Sequence, residues 1–176
     1  MNSPTQTAAG AAELELEREC AAFLFDEADA LDRWELHRWL DMLSRDIDYR
    51  VPVRSNRLGG SNAGFSTRSF FLREDLGSLQ LRIRRLDSEA AWSENPRTRT
   101  RRMVANVRVR ETDGDTVTVS SNLMALCYRG ESPDPVILSC ERRDVLIREA
   151  AVLKLKSRLA LLDTTVLGMD ALSIFL

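Results

Sequence analysis

The residues best suited to chemistry lie in an arginine-rich run in the middle of the chain. In the sequence WSENPRTRTRR an aromatic residue and an acid precede four arginines: Trp92, Glu94, Arg97, Arg99, Arg101 and Arg102. A guanidinium is planar and carries several donors, so a row of them suits carboxylates or backbone carbonyls. The run therefore indicates a binding surface. Two alternatives stay open, a solvated charge run and an internal network that holds this segment on its own sheet.

The residues that could bind metals are few. His37 is the one histidine, whereas a two-histidine, one-carboxylate iron site, a His-rich zinc site and a Rieske cluster each need more than one imidazole. Cys20, Cys127 and Cys140 are widely spaced and odd in number, so we expect buried thiols rather than disulfides or a zinc site. His37 lies beside an apolar stripe, which predicts a surface or half-buried position. We therefore predict no catalytic, cofactor-binding or metal-binding residue in this chain.

A second kind of chemistry is conceivable at the sequence DIDYRVPVR. An acid and a tyrosine, such as Asp46 or Asp48 with Tyr49, could move a proton beside a carbonyl, as in a stand-alone isomerase or dehydratase. Strand alternation places Tyr49 on the apolar face with Ile47 and sends the two acids to the opposite, solvated face. This pattern argues against an enzyme of that class.

Bulk composition limits the remaining functions. With 176 residues we expect one domain at 13–176 behind a flexible arm at 1–12. The start lacks a signal-peptide pattern and no apolar stretch could span a bilayer, so a cytoplasmic protein without membrane contact is expected. Net charge is −2 and the sequence pI is about 5.6. Nucleic-acid binding through residues 97–110 is therefore disfavoured, because it would need a wider basic surface.

Helical periodicity dominates the first half of the chain. Apolar residues every three or four positions predict helices over 13–31, 32–43 and 72–86, with Asp32 and Glu35 forming a capping box for the second. Period-two alternation predicts a strand over 47–53, which Pro52 would end or confine to an edge. Residues 54–71 are rich in Gly, Ser and Asn, and we expect a long, docked loop there.

Strand periodicity dominates the second half. Alternation predicts strands over 103–110, 117–127, 136–147 and 153–161, with a tight turn at the sequence TDGD. We expect Met103, Ala105, Val107 and Val109 on one face, a bulge near Glu141, and the leucines of the last strand opposite Lys154, Lys156 and Arg158. The order of elements predicts an α+β domain, with three N-terminal helices on a strongly curved antiparallel sheet.

Three stretches resemble the small (beta) subunit of bacterial aromatic-ring-hydroxylating dioxygenases. They are DIDYRVPVR at 46–54, the arginine-rich stretch at 92–109 and LSIFL at 172–176. The middle stretch is similar to the family pattern W-A-E-D-P-P-S-R-T-R-R, from which it departs at Asn95 and Arg97, where an acid and a second proline are common. The order of elements also resembles the cone-shaped nuclear-transport-factor-2-like (NTF2-like) fold.

The resemblance implies a non-catalytic subunit of a larger oxygenase. In this family the large (alpha) subunit carries the Rieske [2Fe–2S] cluster and the mononuclear Fe(II). Three alpha and three beta subunits form a hexamer with beta–beta contacts, served by a ferredoxin and a reductase. Such complexes use NADH and O2 to cis-dihydroxylate aromatic hydrocarbons.

The resemblance also suggests which residues contact neighbouring subunits. Arginine and tryptophan are enriched at interfaces, so the arginine-rich run with Trp92 and Glu94 is the first candidate. The apolar end, Ile174, Phe175 and Leu176, either lies within its own barrel or crosses to another subunit, and we favour the subunit boundary.

Overall fold

The computed structural model describes residues 4–55, 64–87, 97–169 and 171–176, with side chains from residue 10 onward. The described chain contains three helices and six strands, which we number in chain order. They are α1 (Pro4–Asp32), α2 (Leu36–Asp41), β1 (Leu43–Arg54), β2 (Phe65–Glu74), α3 (Leu76–Asp87), β3 (Arg99–Asp113), β4 (Thr116–Tyr128), β5 (Val136–Glu149) and β6 (Val152–Leu162). This is the α+β arrangement that the sequence predicts.

All six strands form one sheet, in the order β2-β1-β6-β5-β4-β3. Neighbouring strands are antiparallel except for β1 and β6, which run parallel. The parallel pair joins the first strand of the chain to the last. β2 and β3 are the two edge strands of this sheet. The sheet is therefore mostly, rather than wholly, antiparallel.

The core lies between the helices and one face of the sheet, which we call the inner face. Leu24 of α1, Trp39 of α2 and Ile83 of α3 are fully buried against inner-face side chains such as Leu123 and Leu155. The three cysteines are buried free thiols, as predicted, and burial raises the pKa of each to about 11. In the residues described, no helix is both long and apolar enough to cross a membrane.

The helix boundaries differ from the prediction in three places. α1 already begins at Pro4, so the proposed division between an arm and a domain at residue 12 stays a prediction. The capping box at Asp32 is wrong: Asp32 ends α1, its carboxylate binds β3, and Glu35 at the start of α2 caps nothing with its side chain. α3 begins at Leu76 rather than at residue 72.

The loop expected over 54–71 is partly a strand. β2 begins at Phe65 and pairs with β1, because Phe and Thr side chains suit a half-buried strand once a partner strand is available. Pro52 neither ends β1 nor lies on an edge strand. It lies at register shifts in the β1–β2 pairing, an irregularity at which a residue without an N–H is tolerated.

Three predicted strand faces are wrong, each for a physical reason. In β3 the register shifts between Ala105 and Arg108 and Asn106 adopts φ 53°, so Met103 and Ala105 face outward while Val107 faces inward. In β5 no shift occurs near Glu141; the strand keeps its alternation, and charged side chains occupy inner positions. In β6 a shift opposite Val145 and Leu146 turns Arg158 inward.

Candidate functional site

Four charged side chains meet inside the protein between α1, β5 and β6. Glu27 lies on α1, Arg142 and Asp144 on β5 and Arg158 on β6, and each is at most 1% exposed. The Arg158 guanidinium donates to both oxygens of Glu27 at 2.7 Å and to both of Asp144 at 2.8 Å. Arg142 Nη1 lies 3.3 Å from Glu27 Oε2. We call these four residues the interior charge cluster; its two positive and two negative charges balance, as buried charges require.

The interior charge cluster shifts the pKa values of three of its members. Burial alone would raise the pKa of Glu27, but the attraction of Arg158 and Arg142 outweighs it and holds that pKa below its ordinary value. For Arg158, burial opposes the charge, but Asp144 and Glu27 raise the pKa well above the ordinary value. Burial and repulsion from Arg158 lower the pKa of Arg142. Glu27 and Arg158 are therefore stabilised in their charged forms.

Strand register explains how the cluster forms. Asp144 and Arg158 are directly opposite each other in the antiparallel β5–β6 pair, so their ion pair is a cross-strand contact on the inner face. Arg142 lies two residues before Asp144 and therefore points to the same side. Glu27 reaches this point from the helix that covers the sheet.

The end of the chain binds next to this cluster. The Tyr49 hydroxyl donates to the backbone oxygen of Leu176 and accepts from its backbone N–H, both at 2.7 Å. Arg158 donates to the same oxygen at 2.6 Å. Phe175 stacks on Trp39 with ring centroids 4.3 Å apart, and Trp39 Nε1 donates to Glu27 at 3.0 Å. Burial raises the pKa of Tyr49 to about 12.

A second buried ion pair holds β3 to the end of α1. The Asp32 carboxylate accepts from the backbone N–H of Arg102 at 2.8 Å and from its Nη1 at 2.5 Å. Thr100 Oγ1 donates to the same carboxylate at 2.9 Å. Arg102 Nη2 donates to the backbone oxygen of Phe175 at 2.6 Å, so this pair also contacts the end of the chain.

The structure separates the predicted interface residues into two groups. Arg102, Ile174, Phe175 and Leu176 are buried within the chain itself, at most 8% exposed. We expected the apolar end to lie at a subunit boundary, whereas in the structure its side chains are buried within its own domain. Arg102 belongs to an internal hydrogen-bond network with Asp32 and Phe175 rather than to an exposed surface.

The other predicted arginines lie at the surface. The Arg97 guanidinium lies over the Trp34 ring, 5.1 Å from its centroid, and Arg99 Nη2 donates to Gly130 O at 3.1 Å. Arg101 is exposed, and no residue within the described ranges forms a hydrogen bond or ion pair with its side chain. Trp92 and Glu94 lie outside the described residues.

Exposed apolar side chains accompany Arg101 on the outer face. Met103 and Met124 are direct cross-strand partners and are 45% and 44% exposed, and Ile137 on β5 is 57% exposed. Leu126, half-buried, is paired with both Arg101 and Ile137. We call Arg101, Met103, Met124, Leu126 and Ile137 the outer patch. Such a group of apolar side chains beside an exposed arginine is typical of a protein-binding surface.

An open groove of about 590 Å³ lies elsewhere on the outer face, between β1, β2, β5 and β6. Its charged groups already have partners within the chain. Arg54 Nε donates to Leu162 O at 2.8 Å, and Arg143 donates to Glu141 at 2.8 Å. The described residues that line the groove therefore offer no set of free charged groups for a small ligand.

The acids and the tyrosine considered for proton transfer lie on opposite faces of β1. Asp46 is exposed and Asp48 is hydrogen bonded to Arg50 on the outer face, as strand alternation predicted, whereas Tyr49 points inward. The Tyr49 hydroxyl is already bonded to Leu176 on both its donor and acceptor sides. This arrangement does not favour a stand-alone isomerase or dehydratase.

The metal-binding residue types are dispersed. The His37 side chain is 73% exposed, as predicted, and its Nε2 lies 2.8 Å from Asp87 Oδ2. Within the described ranges, no three His, Cys, Asp or Glu side chains are grouped so that they could hold a metal ion. One imidazole does not fit a Rieske cluster, which takes two histidines and two cysteines.

Sequence reasoning missed the interior charge cluster. A signal existed in β5, where an unbroken alternation from Leu138 and Cys140 assigns Arg142 and Asp144 to the buried face. The expected bulge near Glu141 instead places these charges on the outer face. Glu27 gave no such signal, because charged residues are common on the flanks of an amphipathic helix.

Comparisons with known proteins agree across nearly the whole chain. The family model described as ring hydroxylating beta subunit matches residues 26–169. The chain is 31% identical to the benzene 1,2-dioxygenase subunit beta of Pseudomonas putida over 171 residues, covering 92% of this chain and 89% of the relative. It is 31% identical to the biphenyl 2,3-dioxygenase subunit beta of Rhodococcus jostii (strain RHA1) over 169 residues, covering 91% and 88%.

A solved structure shares the fold. A chain of naphthalene 1,2-dioxygenase with indole bound in the active site superposes with a TM-score of 0.80, at 23% identity, covering 92% of this chain and 86% of that one. The superposition confirms the predicted α+β cone of the NTF2-like type.

Proposed function

Because the chain belongs to the family of ring-hydroxylating beta subunits, we propose that it is the structural subunit of an aromatic-ring-hydroxylating dioxygenase. The single observation that carries the proposal is the family match over 26–169, supported by two dioxygenase beta subunits at 31% identity. The complex is an oxidoreductase. In our proposal it cis-dihydroxylates an aromatic hydrocarbon in the cytoplasm with electrons from NADH.

The redox chemistry belongs to the large subunit in this proposal. The Rieske cluster and the mononuclear Fe(II) would be held by the alpha subunit, which receives electrons through a ferredoxin and a reductase. One exposed histidine in this chain supports that division, because either metal site needs more imidazoles. The beta subunit would contribute no catalytic residue and would hold three alpha subunits in an alpha3beta3 hexamer, with beta–beta contacts between its copies.

The outer patch is the surface that we propose for contact with the large subunit. It lies next to Arg99, which is two residues before Arg101 and faces the same side of β3, and Trp92, Glu94 and Arg97 precede it in the sequence. Its apolar side chains remain exposed although the opposite face of the same strands is buried. Arg101 is available to bind a carboxylate or a backbone carbonyl of the partner.

The proposal is tested by expressing this chain with and without an alpha subunit encoded next to it. We expect co-purification, and O2-dependent hydroxylation of benzene or biphenyl by the pair when NADH, a reductase and a ferredoxin are supplied. The chain alone should show no turnover and should contain no stoichiometric iron after purification. A fully active large subunit that neither binds nor needs this chain would contradict the proposal.

A further inference from the structure

The last five residues of the sequence occupy a site that the rest of the chain builds for them. We call residues 172–176 the tail. Four of its side chains, those of Leu172, Ile174, Phe175 and Leu176, are at most 5% exposed. Residues 163–169, which precede it, contain neither helix nor strand. The segment before the tail is therefore outside the sheet. The tail is held in the core by the contacts of its own side chains and backbone groups.

Recognition of the tail uses its backbone as well as its side chains. Tyr49 contacts both the N–H and the oxygen of Leu176, Arg158 binds the same oxygen, and Arg102 binds the oxygen of Phe175. The Phe175 ring lies against the Trp39 ring at an interplanar angle of 27°. Donors, an acceptor and an aromatic platform thus converge on two consecutive residues, as in a peptide-binding site.

These binding groups are held by contacts that do not involve the tail. Glu27 and Asp144 fix the Arg158 guanidinium, Asp32 fixes Arg102, and Glu27 accepts from the indole of Trp39. A site whose groups are positioned by other residues keeps its geometry when the ligand leaves. Among the described residues, none forms a hydrogen bond with the buried Nε of Arg102, whose guanidinium binds the tail.

We propose that the interior of the cone is a binding site for a peptide with an aromatic residue followed by an aliphatic one, and that the tail is its intramolecular ligand. The aromatic ring stacks on Trp39, the aliphatic residue lies beside Tyr49, and the guanidiniums of Arg102 and Arg158 bind successive backbone oxygens. The inference does not depend on the proposed role as an oxygenase subunit. It predicts that a separate peptide of the same sequence binds once the tail itself is weakened.

The test uses the full chain and a fluorescent peptide with the sequence of residues 172–176. In the wild-type protein the tail competes, so the apparent affinity of the peptide is reduced by the fraction of sites that are free. Phe175→Ala removes the stacked ring from the tail and leaves the binding groups intact. We expect fluorescence polarisation to show at least ~10-fold tighter peptide binding to this variant than to wild type.

Two controls separate specific binding from non-specific adsorption. A peptide with alanine in place of its phenylalanine should bind the variant much more weakly. Phe25→Ala, which removes an exposed phenylalanine of α1, should leave binding as weak as in wild type. Adding Tyr49→Phe to Phe175→Ala should lower the affinity, because the hydroxyl contacts both backbone groups of Leu176.

The outcome remains decisive if Phe175→Ala does not fold. Phe175→Leu keeps an aliphatic side chain in the core while losing the stacking on Trp39, and it then replaces Phe175→Ala in the same assay. Circular dichroism establishes that the chosen variant is folded. A folded variant that binds the peptide no better than wild type, or that binds the phenylalanine and alanine peptides equally, would overturn the proposal.

Discussion

Arg101 and Arg102 are neighbours on β3, yet they lie in opposite environments. Arg102 is 8% exposed and binds Asp32 and the backbone oxygen of Phe175. The side chain of Arg101 points to the outer face, where its guanidinium has no ion pair or hydrogen bond within the described chain and lies beside exposed methionines. The same arginine-rich run thus provides one arginine that binds groups inside the domain and, in our proposal, one that binds another subunit.

Inner and outer charges contribute differently to folding and to assembly. An inner charge such as Arg158 is removed from water and is tolerable only with its partners in place, so removing a partner is costly to folding. An outer charge contributes little to folding because water and salt screen it. We therefore expect inner substitutions to change stability and outer ones to change assembly.

The largest expected effect is on the interior charge cluster. Glu27→Gln keeps the shape of the side chain but removes the charge that compensates Arg142 and Arg158. Leaving buried guanidiniums unpaired should reduce the free energy of unfolding by about 3–5 kcal/mol. Urea denaturation at pH 7 measures this loss, and Glu15→Gln on the exposed face of the same helix should change stability by less than ~0.5 kcal/mol. Equal effects at both positions would contradict the comparison.

The stability provided by Glu27 should also depend on pH. Because the folded pKa of Glu27 lies below its ordinary value of 4.5, its stabilising contribution is present above that pH. It is lost as the pH falls through the folded pKa. The stability difference between wild type and Glu27→Gln should therefore shrink in acid, as urea denaturation at a series of pH values would measure. A difference that grows towards low pH would reverse the assigned sign.

A smaller loss is expected from Tyr49→Phe. The substitution removes the hydroxyl that donates to Leu176 O and accepts from Leu176 N–H, while the apolar ring remains in place. A buried N–H then lacks its partner, which costs about 1–3 kcal/mol. Urea denaturation measures the loss, and we also expect faster amide hydrogen exchange at residues 172–176. Unchanged exchange there would show that the hydroxyl does not hold the tail.

The smallest effect on stability is expected at the outer patch. Met124→Lys places a charge on an exposed position, so the free energy of unfolding should change by less than ~0.5 kcal/mol. Co-purification with the large subunit should nevertheless fall at least ~10-fold if the patch is buried in that contact. Leu81→Lys, an exposed position on α3, is the matched control and should assemble normally. Equal assembly of both variants would remove the outer patch from the proposed interface.

Periodicity predicted most elements but failed where side chains bind distant residues. The long strands and α1 follow from patterns of apolar residues within one segment. Asp32 looks like a helix cap in the sequence, whereas its partner Arg102 lies 70 residues away. The inward turn of Arg158 depends on a register shift that its own sequence does not reveal. Local patterns therefore gave the fold and the family resemblance, while the interior charge cluster required the three-dimensional arrangement.

In our proposal this chain holds large subunits together without contributing a catalytic residue. Native mass spectrometry of the complex co-expressed with the large subunit tests it most directly. We predict one assembly with three copies of each subunit, and dissociation of the large subunits from one another when this chain is omitted. A large subunit that forms the same active trimer in the absence of this chain would contradict the account.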